Sequence, residues 1–152
     1  MDSFDKKILQ ILQKDCSISL SEIAEQVGLT STPCWRRIQA LEKSGVIRGR
    51  VVLADPEKLN VGLTVFVMVK TNQHNEQWLT KFANNIKDIP EIMEFYRLSG
   101  DVDYLLRVVV PDMKAYDVFY KKLITHADFS DISSSFAMEE LKFSTSLPVS
   151  YL

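Results

Sequence analysis

The sequence predicts an α+β chain in two parts: an N-terminal winged helix-turn-helix domain joined to a C-terminal ferredoxin-like β-α-β-β-α-β domain. Three observations carry this reading. Three capped amphipathic stretches fill the first 45 residues, and about three residues separate the second from the third, the helix-turn-helix spacing. Asp55-Pro56-Glu57-Lys58 then reads as a linker turn. Beyond it, runs of period two and runs of helical period follow in the order β-α-β-β-α-β. The expected boundaries are residues 1–53, a linker over 54–62, and residues 63–152.

Each element has a local cause. Asp2 can cap the first helix, whose Phe4, Ile8, Ile11 and Leu12 share one apolar face. Ser19 and Glu22 form a capping box for the second, where Leu20, Ile23, Ala24 and Val27 repeat at helical spacing. Gly28 ends it, because a left-handed backbone costs glycine least. The third opens at Thr30 or Ser31, tolerates Pro33 in its first turn, buries Cys34, Ile38 and Leu41, and stops at Gly45. Val46–Leu53 is β-like with interleaved arginines, the expected wing. Leu63–Lys70 is a strand rich in β-branched residues, and Trp78, Leu79, Phe82 and Ile86 mark a helix over 75–87. Ile92–Leu98 and Tyr104–Val110 form a hairpin around Ser99–Asp103. Pro111-Asp112 starts a helix with Met113, Tyr116, Tyr120 and Leu123 on one side, and Ile132–Phe143 closes the domain as a strand.

Composition narrows the function classes. The 152 residues are 46% hydrophobic and 25% charged, as in ordinary globular domains, so neither a disulfide nor a metal is needed for a core. Two cysteines, Cys16 and Cys34, fit a reducing compartment. No apolar run reaches the ~18 residues of a membrane span, and the first residues lack a signal-peptide core; a soluble, cytoplasmic protein is expected. The net charge of −2 hides an asymmetry: residues 34–50 carry five basic side chains and one acidic. A basic patch in an acidic protein suggests an anionic partner for that patch alone.

On the third helix, Thr32, Arg36, Gln39 and Lys43 share the face opposite Cys34, with Trp35 and Arg37 on its flanks. Arg, Gln and Thr can read base edges, and Lys and Arg neutralise phosphates. The helix N-terminus, with Ser31, adds N–H donors for a phosphate. Standing alone, such charges favour a plain solvated face; the helix-turn-helix spacing, the polar face and the basic stretch after it together favour double-stranded DNA. Arg48 and Arg50 lie on one side of the wing, either to reach phosphates or the minor groove or to keep an edge strand soluble. Trp35 either meets a sugar or a thymine methyl, or packs on a neighbouring helix.

A second candidate is the loop Gly100-Asp101-Val102-Asp103-Tyr104, whose carboxylates could accept from a ligand ammonium while backbone N–H groups take a carboxylate. Gly and Asp are also the ordinary residues of a hairpin turn. Ser133, Ser134 and Ser135 offer hydroxyls to a polar ligand or simply start a strand. Catalytic signals are weak. His74 and His126 have no partner at metal-ligand spacing and read as surface residues, Cys34 reads as core, and Cys16 lies in a turn where redox chemistry has no support. No enzyme, metal or cofactor is expected.

The chain resembles the Lrp/AsnC family of transcription regulators over nearly its whole length. The matching segments are Asp5–Leu9, Ile18–Ala24, Val27-Gly28-Leu29, Pro33–Ile38, Leu41–Ile47, Asp55–Leu59, Gly100–Val108 and Leu147-Pro148. The resemblance implies a sequence-specific DNA-binding regulator of amino-acid metabolism. It implies a homodimer made by pairing of the sheets, assembly of dimers into octamers, and an amino-acid effector held between dimers. By position, the effector site falls on Gly100, Asp101, Asp103 and Tyr104 with Ser133, Ser134 and Ser135. Thr32–Arg37 and Ser134–Glu139 look most like a proteobacterial branch linked to cysteine detoxification, which makes cysteine a candidate effector. Two alternatives share parts of this pattern: an architectural DNA binder without an effector, and a small dimeric ferredoxin-like enzyme. The second needs a His, Tyr or carboxylate cluster that the sequence does not offer.

Overall fold

A computed structural model describes residues 1–152. Its elements are α1 (Ser3–Leu12), α2 (Leu20–Val27), α3 (Ser31–Lys43), β1 (Leu63–Lys70), α4 (Glu76–Ile86), β2 (Ile92–Arg97), β3 (Tyr104–Val110), α5 (Met113–Leu123) and β4 (Asp131–Phe136). The chain divides into two compact units: Met1–Val52 with Leu141–Leu152, and Leu53–Glu140.

The first unit is three helices around Ile8, Leu9, Ile23, Ala24, Val27, Cys34, Ile38 and Leu41, all buried. The expected caps form. The Asp2 carboxylate accepts from the N–H groups of Phe4 and Asp5, and the Asp5 carboxylate accepts from the Asp2 N–H. Ser19 and Glu22 make the same reciprocal pair at α2. Gly28 and Gly45 sit at φ +78° and +76°, the left-handed conformation that stops α2 and turns the chain after α3.

The expected wing is not a strand. Residues 46–53 take no regular ladder, and Val51 and Val52 are 77% and 93% exposed. A strand needs a neighbour to satisfy its N–H and C=O groups, and this stretch has none within the chain. The last twelve residues also differ from expectation. They fold with the helices rather than with residues 63–140, making a short 3-10 turn at Val149–Tyr151 whose Val149 packs on the helical core.

The second unit is a four-stranded antiparallel sheet of order β2-β3-β1-β4. Val65, Val67 and Val69 of β1 and Leu106, Val108 and Val110 of β3 alternate onto one face, where Trp78, Phe82 and Ile86 of α4 and Tyr116, Phe119 and Leu123 of α5 bury them. In α5 the inward stripe runs through Phe119, while Met113, expected inside, is 58% exposed at the first helical position. Strand β4 is shorter than Ile132–Phe143. Phe136 pairs with Val65, the N–H of Ala137 reaches the Thr64 carbonyl, and β1 begins one residue earlier at Leu63, so no ladder remains for residues 138–143. His126 is half-buried rather than a surface residue, with its Nε2 enclosed and unpartnered; His74 is exposed.

Candidate functional site

Two regions carry the chemistry, one in each unit. In the first, α3 follows the turn at Gly28 and buries Cys34, Ile38 and Leu41, so its other face looks outward. Ser31, Thr32, Trp35, Arg36, Gln39 and Lys43 are all exposed there, Trp35 to 51%. The N-cap Thr30 gives no side-chain hydrogen bond. The amide of Cys34 reaches the Thr30 carbonyl and Pro33 has no N–H, which leaves the Ser31 and Thr32 amides to an outside acceptor. Arg36, Lys43 and Arg48 take part in none of the chain's ion pairs. Arg50 bonds Glu42 at 3.0 Å, and the Gln39 amide bonds the other Glu42 oxygen at 2.9 Å. Such exposed contacts are weak and can yield to a phosphate.

Arg37 differs from its neighbour. Its guanidinium lies 2.8 Å from the carboxylates of both Asp2 and Asp5 and stacks over Phe4 at 5.2 Å. Asp5 and then Asp2 raise the Arg37 pKa; the N–H of Asp5 foremost, with Arg37 behind it, holds the Asp2 carboxyl below its usual range. The structure therefore commits Arg37 to the start of α1 and separates it from the outward set. Burial pushes the Cys34 thiol up, which suits a packed side chain rather than a nucleophile.

In the second unit, Gly100 sits at φ +127° in the β2–β3 turn, and the Leu98 N–H closes the turn on the Asp103 carbonyl at 2.8 Å. The Asp103 carboxylate is already engaged. It accepts from the Thr71 N–H at 2.8 Å and lies 3.6 Å from His74 Nδ1. Thr71, the one fully buried polar residue, and His74 are the loop's neighbours that sequence reading missed. Their signal was faint: a threonine ending a strand and a histidine read as surface. Asp101 is exposed and makes no contact of this kind. Tyr104 is buried, stacked on Trp78 at 5.5 Å, and its burial raises the phenol pKa.

The three serines do not act as one group. Ser134 faces the helices and bonds the Tyr116 hydroxyl, whereas Ser133 and Ser135 lie on the opposite sheet face. Val69 pairs with Tyr104 on one side and Ile132 on the other, so the loop and the start of β4 share one end of the sheet, about 10 Å apart across β1. The helix-free face carries Thr64, Phe66, Met68, Leu105 and Val109. Among them Arg107 makes two bonds to one Glu94 oxygen, at 3.0 and 2.9 Å, while Tyr96 donates to the other. The hydrogen bonds from Arg107 hold the Glu94 carboxyl below its usual range.

Known proteins resemble this chain from end to end. Residues 1–48 match the family model described as winged helix-turn-helix DNA-binding, and residues 64–147 the Lrp/AsnC ligand binding domain. The DNA-binding transcriptional activator DecR of Escherichia coli K12 is 49% identical over 98% of this chain and 99% of its own. A glutamate uptake regulatory protein of Zymomonas mobilis is 47% identical over 98% of this chain and 91% of its own. Among solved structures, an AsnC family transcriptional regulator from Agrobacterium tumefaciens superposes with a TM-score of 0.97 at 54% identity, covering 100% of this chain and 99% of that one. A Neisseria meningitidis transcriptional regulator in complex with L-Met follows with a TM-score of 0.94 at 36% identity, covering 99% and 98%.

Proposed function

We propose, for a chain that belongs to the Lrp/AsnC family of DNA-binding transcriptional regulators, that α3 reads the major groove and that the sheet unit senses an amino acid. The observation that carries the first half is the outward face of α3: two uncapped amides at its start, then Thr32, Trp35, Arg36, Gln39 and Lys43 exposed along it. That combination anchors a helix end on a phosphate and presents side chains to base edges. Arg48 and Arg50 follow the backbone beside it. Arg37 supports the helix and does not touch DNA.

A second copy covers the helix-free sheet face. A sheet buries its apolar face against another layer, and Phe66, Met68, Leu105 and Val109 have none within the chain. The resulting dimer offers two copies of α3 to half-sites about one turn apart. Dimers assemble further into octamers, as the family resemblance implies; sedimentation velocity at micromolar concentration tests this, and a monomer would overturn it.

The effector is a free α-amino acid held at the Gly100–Tyr104 loop with Ser133 or Ser135. Asp101 accepts from its ammonium and the loop amides from its carboxylate. Asp103 shapes the loop through Thr71. The L-Met complex of the Neisseria relative supports the ligand class, and the likeness to DecR, with the Thr32–Arg37 and Ser134–Glu139 segments, favours cysteine within it. The chain acts as a regulator without catalysis. A thermal-shift screen against the twenty amino acids, with a non-thiol reductant, tests the sensing half. A ligand at about 100 times its Kd adds roughly 2.7 kcal/mol, or about 5–10 °C for a chain of this size. A shift with L-cysteine that Asp101→Ala abolishes supports the reading. No shift with any amino acid leaves a DNA-binding protein that does not sense them.

A further inference from the structure

One side chain of the helical unit takes both backbone groups of a residue near the end of the chain. Gln13, the C-cap of α1, grips Leu147 at both of its backbone groups: Gln13 Oε1 accepts from the Leu147 N–H at 2.7 Å, and Gln13 Nε2 donates to the Leu147 carbonyl at 3.2 Å. This is half of a β-bridge, made by a side-chain amide. Pro148 explains why Leu147 suits it. A residue before proline is pushed into extended conformation, which presents its N–H and C=O together. The Gln13 carbonyl accepts in turn from the hydroxyls of Thr145 and Ser146. Beyond Leu147, Val149 packs on the helical core and Lys6 donates to the Leu152 carbonyl.

The consequence lies in connectivity. The chain passes between its two units twice, once at Val52–Leu53 and again at Glu140–Leu141. A body held by one flexible tether pivots about it. A second attachment narrows that freedom. We propose that Gln13, by pinning Leu147, is a positioning residue that sets which half-site spacing the paired reading helices accept. The proposal rests on the dimer described above and names what fixes its reading geometry.

The test uses the full-length protein and duplexes bearing two copies of a half-site recovered by in vitro selection with wild type. The spacing is varied one base pair at a time over about one and a half turns, and a single-half-site duplex serves as reference. Bivalent binding gains orders of magnitude over one site and loses that gain when geometry forbids both contacts. Wild type is expected to bind its preferred spacing about a hundredfold tighter than spacings half a turn away. Gln13→Leu, which keeps bulk and removes both hydrogen bonds, should flatten that preference to about threefold or less while leaving single-half-site affinity unchanged. A chain truncated after Ser144 leaves α1 intact and should flatten it equally. Gln13→Leu or the truncation retaining the wild-type profile would overturn the proposal, as would a wild type indifferent to spacing. Failure of the underlying dimer shows separately, as a monomer mass by sedimentation.

Discussion

Arg36 and Arg37 are adjacent in sequence and should respond to mutation in opposite ways. Arg36 is exposed on the outward face of α3 without an ion pair, whereas Arg37 is bound to Asp2, Asp5 and the Phe4 ring. Each phosphate neutralised by a protein contributes about 0.9 to the slope of log affinity against log salt. If each Arg36 of a dimer meets one phosphate, Arg36→Ala lowers the slope by about 1.8. Between about 50 and 200 mM salt that amounts to roughly 3.5-fold per contact, and about 12-fold for two. If Arg36 instead takes guanine in the bidentate manner, the slope holds and specific affinity falls by about 1–3 kcal/mol per half-site, with relaxed preference at that base. Arg37→Ala should weaken binding by the same factor at every salt concentration and lower the melting temperature of the helical unit, because it loosens α1 against the reading helix. Fluorescence anisotropy with a selected operator across that salt range separates the cases. A reduced slope for Arg37→Ala with unchanged stability would falsify the assignment, and so would Arg36→Ala binding as wild type does.

Three further outcomes follow from the geometry. Gly28→Ala should destabilise the helical unit by about 1–2 kcal/mol, since no heavy atom lies within 4 Å of an added Cβ and only the left-handed backbone resists it; urea midpoints read from Trp35 check this, and a neutral result refutes it. The Asp2 carboxyl is held below the ordinary 3.8 of an aspartate, so its contribution is complete above that value and is lost as pH falls through the lower folded value. Asp2→Asn keeps the cap and should flatten the acid side of the stability profile; an unchanged profile argues against the Asp2 linkage. Asp101→Ala should abolish the effector shift and spare the fold, whereas Asp103→Ala should lower stability without any ligand because the Thr71 amide loses its acceptor. Equal stability of the two variants contradicts that division.

What the sequence made legible was local. Asp2, Ser19 with Glu22, and Gly28 each declare themselves within four residues, and the structure places all of them as expected, adding Asp5 as the reciprocal partner of Asp2. Leu63–Lys70 declares itself a strand by its β-branched residues, although a run apolar at every position from 65 to 69 does not say that Val65, Val67 and Val69 are the buried ones. Features that depend on a distant partner did not show. Residues 46–53 have the composition of a strand, but composition supplies no neighbour. Strand β4 ends seven residues before the expected Phe143 because its end is set by where β1 begins. Arg37 falls on the flank of α3 by helical arithmetic, and only the fold brings Asp2 and Asp5 to it. The return of Leu147 to Gln13 has no local signature beyond the proline that follows it. Ser133, Ser134 and Ser135 are the exception: their division between two faces follows from the period of a strand, and it was available from the sequence alone.

That division bears on how the ligand loop can signal. Asp103 and Ser134 are already engaged by the Thr71 amide and the Tyr116 hydroxyl. At the proposed site, discrimination among amino acids then falls to Asp101, the loop amides, and Ser133 or Ser135. An effector changes DNA affinity only by binding two states of the assembly unequally, and linkage makes the effect reciprocal. A tenfold loss of DNA affinity at saturating effector, about 1.4 kcal/mol, therefore demands a tenfold weaker effector Kd on the DNA-bound protein. Calorimetric titration of the effector into free and operator-bound protein measures that factor independently of the anisotropy data. Agreement between the two places the coupling in the protein. A DNA effect without the matching effector shift means that the amino acid does not act by binding the protein, and the sensing role proposed for the Gly100–Tyr104 loop fails.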